Sequence, residues 1–151
     1  MYYYFLIFHS YFRWVVVLAL FFQLSWIFYH YNKQTIFLAK HHKTLTYFTL
    51  IYNIQFLLGW TLYLNSPIIT AFWNDVSLGL KNRPLRFFGI EHMIMMTFAI
   101  GLINTYTHSV KRKIGSNGFS YLLKRYILII LIVFSSIPWS FSPFTNRPNW
   151  R

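Results

Sequence analysis

Apolar residues along this chain come in long unbroken runs, not in strict alternation. Four runs are long enough to cross a bilayer, which takes roughly 20 residues of helix: positions 5–28, 45–64, 87–106 and 126–141. The fourth is the shortest, and from Ile127 to Phe134 it holds no polar residue. The other three carry a few polar positions each, which predicts that they face one another as well as lipid. Backbone amides in hydrocarbon must find partners within their own segment, so the runs are read as helices. A membrane barrel would alternate polar and apolar positions, and positions 14–22 show no alternation. The expected fold is an all-α membrane protein: one transmembrane domain over residues 1–151, built as a bundle of four transmembrane helices.

The segments between the runs add detail. Met1-Tyr2-Tyr3-Tyr4 carries no positive side chain and no small-x-small cleavage pattern follows, so the first run reads as a retained span. In the second connection, Ser66-Pro67 reads as an N-cap followed by proline in the first helical turn. Ile68, Ile69, Phe72, Val76 and Leu80 then share one broad apolar face. That pattern predicts a short interfacial helix between the second and third spans. Lys33, Lys40, Lys43, Lys111, Arg112, Lys113, Lys124 and Arg125 lie in the first and third connections. Lys81, Arg83, Arg86, Arg147 and Arg151 lie on the opposite side, so the bias is eight to five. The positive-inside rule places the first and third connections in the cytoplasm and both termini outside.

Composition removes several function classes. Only 11% of the 151 residues are charged while 56% are hydrophobic, and 6 Trp, 12 Tyr and 17 Phe are present. A water-facing shell normally takes about a quarter charged residues, so lipid must replace much of the water. The net charge of +12 raises the question of nucleic acid, but the basic residues sit between apolar runs and form no domain face, so no nucleic-acid partner is expected. With no Cys there is no disulfide, thiolate nucleophile, Cys-ligated cluster or covalent haem attachment.

Ionisable groups inside spans cost about 2.5–3.5 kcal/mol at the helix centre on insertion scales, which makes His9, Arg13, Glu91 and His92 the informative positions. His9 and His92 lie four and five residues past the starts of the first and third spans. In the predicted topology both spans begin outside, so the two depths match to about 1.5 Å. His9 and Arg13 are one turn apart on one helix face, and Glu91 is the only acid in any span. Three readings of this layer stand side by side. In the first, Arg13 pairs with Glu91 and the imidazoles sit hydrated at the interface, with no cofactor. In the second, His9 and His92 are axial ligands of one b-type haem iron, with Arg13 and Arg86 on the propionates. In the third, the layer holds a quinone headgroup, with His92 or Glu91 exchanging protons. No nucleophile pattern, phosphate loop or HExxH motif accompanies these residues, so a free-standing enzyme is not the expectation.

Four further histidines, His30, His41, His42 and His108, fall on the cytoplasmic side. His9 to His30 spans about 31 Å of helix and His92 to His108 about 24 Å; the mismatch argues against a second haem held by the same two helices. His41-His42 between Lys40 and Lys43 reads as a solvated basic edge near anionic lipid. In the second span, Gln55 and Gly59 one turn apart predict a close helix contact with an amide hydrogen bond, and Asn53 near mid-membrane predicts a polar partner. In the fourth span, Ser135 and Ser136 are placed to satisfy carbonyls that Pro138 leaves free, with Trp139 and Trp150 as interfacial anchors.

Several phrases occur together: His9-Ser10-Tyr11-Phe12-Arg13-Trp14, Asn53-Ile54-Gln55-Phe56-Leu57-Leu58-Gly59, Arg86-Phe87-Phe88-Gly89-Ile90-Glu91-His92, and Ser136-Ile137-Pro138-Trp139 with Arg147-Pro148. As an ordered set covering almost the whole chain, they resemble a family of small four-span inner-membrane proteins of Bacteroidetes labelled "cytochrome b". The resemblance implies a multi-pass bacterial inner-membrane protein with periplasmic termini. It also implies an electron carrier holding one haem b near the periplasmic face, passing electrons between a quinone or a respiratory-complex subunit and an acceptor. His9, Arg13, Arg86, Glu91 and His92 are the shared polar set. The family often has histidine where this chain has Asn53, and amide nitrogen is a poor iron ligand, so the implied axial pair here is His9 and His92. A cofactor-free accessory subunit of a respiratory or other inner-membrane complex and a quinone-binding protein are the alternatives.

Overall fold

A computed structural model describes residues 1–139 of the chain. The end of the fourth predicted span, at 141, and Arg147, Pro148, Trp150 and Arg151 lie outside the described residues. Among the described residues all regular structure is helical, with no strand. Four long helices carry the fold: α1 (Tyr2–Asn32), α2 (Ala39–Asn65), α6 (His92–Val110) and α7 (Gly118–Ser136). Three short helices, α3 (Pro67–Asn74), α4 (Val76–Lys81) and α5 (Arg83–Arg86), connect α2 to a π-helical turn, Phe87–Glu91, that leads directly into α6.

Side-chain pairs fix the topology. Tyr2 meets Ser66, Phe22 meets Phe48 and His30 meets His41, so α1 and α2 run antiparallel. Thr49–Thr107 and Asn53–Asn104 do the same for α2 and α6, and Tyr106–Tyr121 with His92–Ser136 for α6 and α7. Trp14–Trp139, Phe21–Phe134 and Trp26–Phe119 close the ring between α7 and α1. The result is an up-down-up-down bundle in which α1 and α6 run in the same direction and stand on one diagonal.

Helix α1, the continuous run Arg83–Lys113 and α7 are each long and apolar enough to cross a membrane. Outward-facing Leu18, Phe22, Phe98 and Leu131 are exposed and form part of an apolar jacket that suits lipid, not water. Among the described residues the fold is all-helical, with three helices suited to crossing a membrane. Its interior is sealed by Leu20, Ile27, Leu45, Ile103, Leu122 and Ile129, all essentially buried. At the centre the Gln23 amide donates to the Tyr126 hydroxyl at 3.0 Å and accepts from the Tyr52 hydroxyl, tying α1, α2 and α7 together.

Three expectations change in detail. The fourth helix begins at Gly118, not near 126, so Lys124 and Arg125 are helical; Arg125 lies over the Tyr121 ring at 3.6 Å and bonds its carbonyl at 2.8 Å. That helix ends at Ser136, because Pro138 cannot donate the next bond. The single apolar face expected across the second connection is split at Asp75, whose carboxylate accepts the Leu78 N–H at 2.9 Å and starts a new helix. Ile69 and Phe72 are therefore buried while Val76 and Leu80 are exposed. Ser66 leads α3 as expected, but its hydroxyl bonds Tyr2 and makes no cap bond.

Two aromatic plugs hold the ends. The Phe72 ring lies so close to Gly79 and Gly89 that a Cβ on either would approach it to 2.6 Å, which clamps the α3–α4 segment onto the π turn. At the other end Phe37 packs against Gly118, and its backbone bonds Ser116 O and Gly115 N–H at 3.1 and 2.7 Å. Gly115 makes that turn with a φ of 84°, a conformation open to glycine.

Candidate functional site

The polar layer is assembled from all four long helices. The π turn is the local device that begins it: the His92 N–H reaches back to the Phe87 carbonyl, a ring one residue wider than an α turn. The same widening stacks Arg86 over Glu91, and their side chains meet, Nε to Oε1, at 2.7 Å. This corrects the expected Arg13–Glu91 pair: the carboxylate belongs to Arg86, which also donates to the Leu80 carbonyl at 3.1 Å. With side chains 38% and 41% exposed, the pair is a rim contact of small energetic value.

His92 is oriented from α7. Its Nδ1–H donates to the Ser136 carbonyl at 2.7 Å, at the point where α7 ends. In the neutral ring this leaves Nε2 as the basic nitrogen. Around the same helix end, Pro138 removes the N–H that the Phe134 carbonyl would have used, and the Trp139 indole N–H takes its place at 2.9 Å. The serines do a different job from the one expected: both hydroxyls bond the Ile132 carbonyl. Trp139 packs against Trp14 and Phe134, so it joins α7 to α1.

His9 is oriented from α2. The Gln55 amide donates to the His9 carbonyl at 3.1 Å and approaches its Nε2 at 3.4 Å, and the imidazole lies against Gly59. A Cβ at Gly59 would stand 3.3 Å from His9 Cε1, so glycine makes room for the ring. The predicted close contact at Gln55 and Gly59 is present, and its partner is His9. Arg13, one turn further along α1, has its guanidinium 5.5 Å from the Trp14 ring centre.

Between these groups lies a cavity of about 170 Å³. His9 and Arg13 from α1, Gln55 and Gly59 from α2 and His92 from α6 all line it, over an apolar floor of Leu20, Ile103 and Val133. Arg86 and Glu91 are not among its lining residues. Gln55 Oε1 is buried with no hydrogen-bond donor among the described residues, an acceptor left for whatever fills the space. The wall between α2 and α6 includes Phe56, Trp60, Met93 and Met96. It is pinned at one end by the reciprocal Asn53–Asn104 amide pair, at 3.1 and 3.0 Å, and at the other by Tyr63 donating to the Gly89 carbonyl at 2.9 Å. Asn53 thus has the partner its depth required. Tyr63, which the sequence did not single out, carries no signal there beyond being one of many interfacial tyrosines.

At the far end of the bundle His41 departs from the solvated edge expected of it. It is buried, its ring 5.1 Å from that of His30, and its Nδ1 accepts the Leu38 N–H at 3.0 Å, capping α2. Burial, then His30 and Lys40, hold its pKa below the ordinary imidazole value. His42 bonds the Thr107 carbonyl at 3.1 Å, and His108 is exposed. No group of three or more metal-ligating side chains occurs among the described residues.

No family model, curated protein or solved structure matches the chain.

Proposed function

We propose that this is a four-span inner-membrane protein that binds the headgroup of a quinone or quinol in the cavity between α1 and α6. The observation that carries the reading is the cavity itself. Its volume of about 170 Å³ is close to that of an engineered cavity that takes one benzene ring (about 150 Å³), and its wall combines two imidazoles, a guanidinium and an unsatisfied amide oxygen. A quinol hydroxyl is a donor for Gln55 Oε1 or for Nε2 of His92, whose other nitrogen is committed to Ser136. A quinone carbonyl is an acceptor for Arg13. His92 takes or returns the quinol proton. The methionine-rich wall between α2 and α6 gives the hydrophobic tail a route to lipid, since Met side chains repack readily. The protein would position the quinol for a redox partner in a respiratory complex of the same membrane.

The register of α2 against α1 supports reading four spans. Helix α2 pairs with α1 from Tyr2–Ser66 to His30–His41, so it crosses whatever α1 crosses, although its Thr, Asn and Gln residues make it less apolar. On the positive-inside bias the layer faces the periplasm, with α3 and α4 lying at that interface.

A second reading has one specific support. His9 and His92 face one space from parallel, diagonal helices, and a histidine whose Nδ1–H is anchored on a carbonyl is oriented as a metal-binding histidine is.

The test is a titration of purified protein in nanodiscs with a short-chain ubiquinone or menaquinone analogue, read by quenching of Trp60 and its neighbours. Saturable binding is expected, weakened about tenfold or more by His92→Ala and by Gln55→Leu. Absence of saturable binding ends the quinone reading. Sharp b-type absorption bands on dithionite reduction, lost in His9→Ala and His92→Ala, replace it with the haem one.

A further inference from the structure

The turn between α6 and α7 holds a second hollow, of about 450 Å³, lined by Lys113, Ser116, Asn117, Ser120, Tyr121, Lys124 and Arg125. We propose that this hollow binds the phosphodiester headgroup of an anionic phospholipid on the cytoplasmic leaflet. Lys113, Lys124 and Arg125 line it, and Ser120 and Asn117 add a hydroxyl and an amide, while the Ser116 hydroxyl donates to the Lys113 carbonyl at 2.9 Å. Arg125 is set in place by the Tyr121 ring and carbonyl. The turn is shaped by its backbone bonds to Phe37, so the hollow is part of the fold.

Charge balance singles out this end of the bundle. Both acidic side chains of the sequence, Asp75 and Glu91, belong to the opposite end, so no Asp or Glu neutralises Lys111, Arg112, Lys113, Lys124 or Arg125. What separates a lipid from a soluble phosphate is the surface next to the cations. One and two turns beyond Lys124 on α7, Ile127, Leu128 and Leu131 are exposed at 46%, 48% and 63%. These residues follow Lys124 at i+3, i+4 and i+7, one helix face. A headgroup in the hollow would lay its acyl chains along that apolar stripe, which a free anion would leave uncovered. Each Lys or Arg near a membrane surface contributes attraction to anionic lipid, and it falls away within a Debye length.

The experiment compares full-length protein in nanodiscs of phosphatidylcholine alone and of phosphatidylcholine with phosphatidylglycerol, counting co-purifying phosphatidylglycerol by native mass spectrometry. Retention of bound phosphatidylglycerol is expected, with a loss on the order of tenfold in Lys113→Gln/Lys124→Gln. Both lysines are exposed, so the variant keeps the fold. The control Lys33→Gln/Lys40→Gln removes the same charge from the same end, outside the hollow, and should retain the lipid. Equal loss in both variants would mean diffuse attraction and overturn the site. Inorganic phosphate raising the melting temperature in phosphatidylcholine alone, as far as phosphatidylglycerol does, would overturn the assignment to lipid.

Discussion

The Gln23 amide sits fully buried at the centre of the bundle, and its replacement by leucine separates polar packing from shape. Leucine nearly preserves the volume but leaves the Tyr52 hydroxyl with no acceptor and removes the donor to Tyr126. Leaving a buried hydroxyl unpaired costs about 1–3 kcal/mol in water-soluble proteins, and hydrogen bonds between membrane helices average nearer 0.6, up to about 1.7 kcal/mol. Thr107 also bonds the Tyr126 hydroxyl, so that tyrosine is only partly stranded. The sum expected for Gln23→Leu is about 1–3 kcal/mol. The triple variant Gln23→Leu/Tyr52→Phe/Tyr126→Phe removes the stranded hydroxyls as well and should recover more than half of that loss. Reversible unfolding by dodecyl sulfate in mixed micelles, followed by tryptophan fluorescence, reads both. If the triple variant is as unstable as the single one, the cost lies in lost packing and the hydrogen-bond account is refuted.

Three other outcomes follow from local geometry. Gly59→Ala puts a methyl 3.3 Å from the His9 ring and should cost on the order of 1 kcal/mol while weakening quinone binding several-fold; unchanged binding would show that the ring has room to retreat. A double-mutant cycle on Arg86→Leu and Glu91→Leu should give a coupling of no more than about 1 kcal/mol, and the same cycle on Arg13 and Glu91 about zero; the reverse order would restore the pair expected from sequence. His41 has a folded pKa below 6.5, so its neutral form stabilises the fold above that value, and stability falls as the pH drops through it, because the unfolded chain takes up the proton more readily. Melting curves from pH 7.5 to 5 should show a decline that His41→Asn reduces; a flat profile for the unsubstituted protein would count against the buried cap.

Helix existence was legible wherever apolar runs were long, because hydrocarbon leaves the backbone no alternative. Boundaries were less so. Lys124 and Arg125 looked like loop because they are charged, yet the Tyr121 ring and carbonyl give Arg125 a place on a helix. His41 looked solvated between two lysines, but a helix start needs acceptors for its first N–H groups, and an imidazole nitrogen served. Both contacts are local, Tyr121 with Arg125 at i,i+4 and Leu38 with His41 at i,i+3, so their spacing stood in the sequence, but the charge of the residues and their neighbours pointed to water instead.

The site divides along the same line. That His9 and His92 share a level was readable, because alternate helices of an up-down bundle run the same way and both residues lie about one turn past a span start. What each ring faces was not. The π turn at Phe87–Glu91 takes an extra residue into one loop of helix, which shifts the angular position of everything before it and gives Glu91 to Arg86. The diagonal placement of α1 and α6 then has a consequence for chemistry. Neighbouring helices would let the imidazoles act through direct contact, whereas across a diagonal they act through whatever occupies the space between them. The size and polarity of that space, and the amide oxygen turned toward no donor, therefore weigh more in the functional argument than the two histidines by themselves.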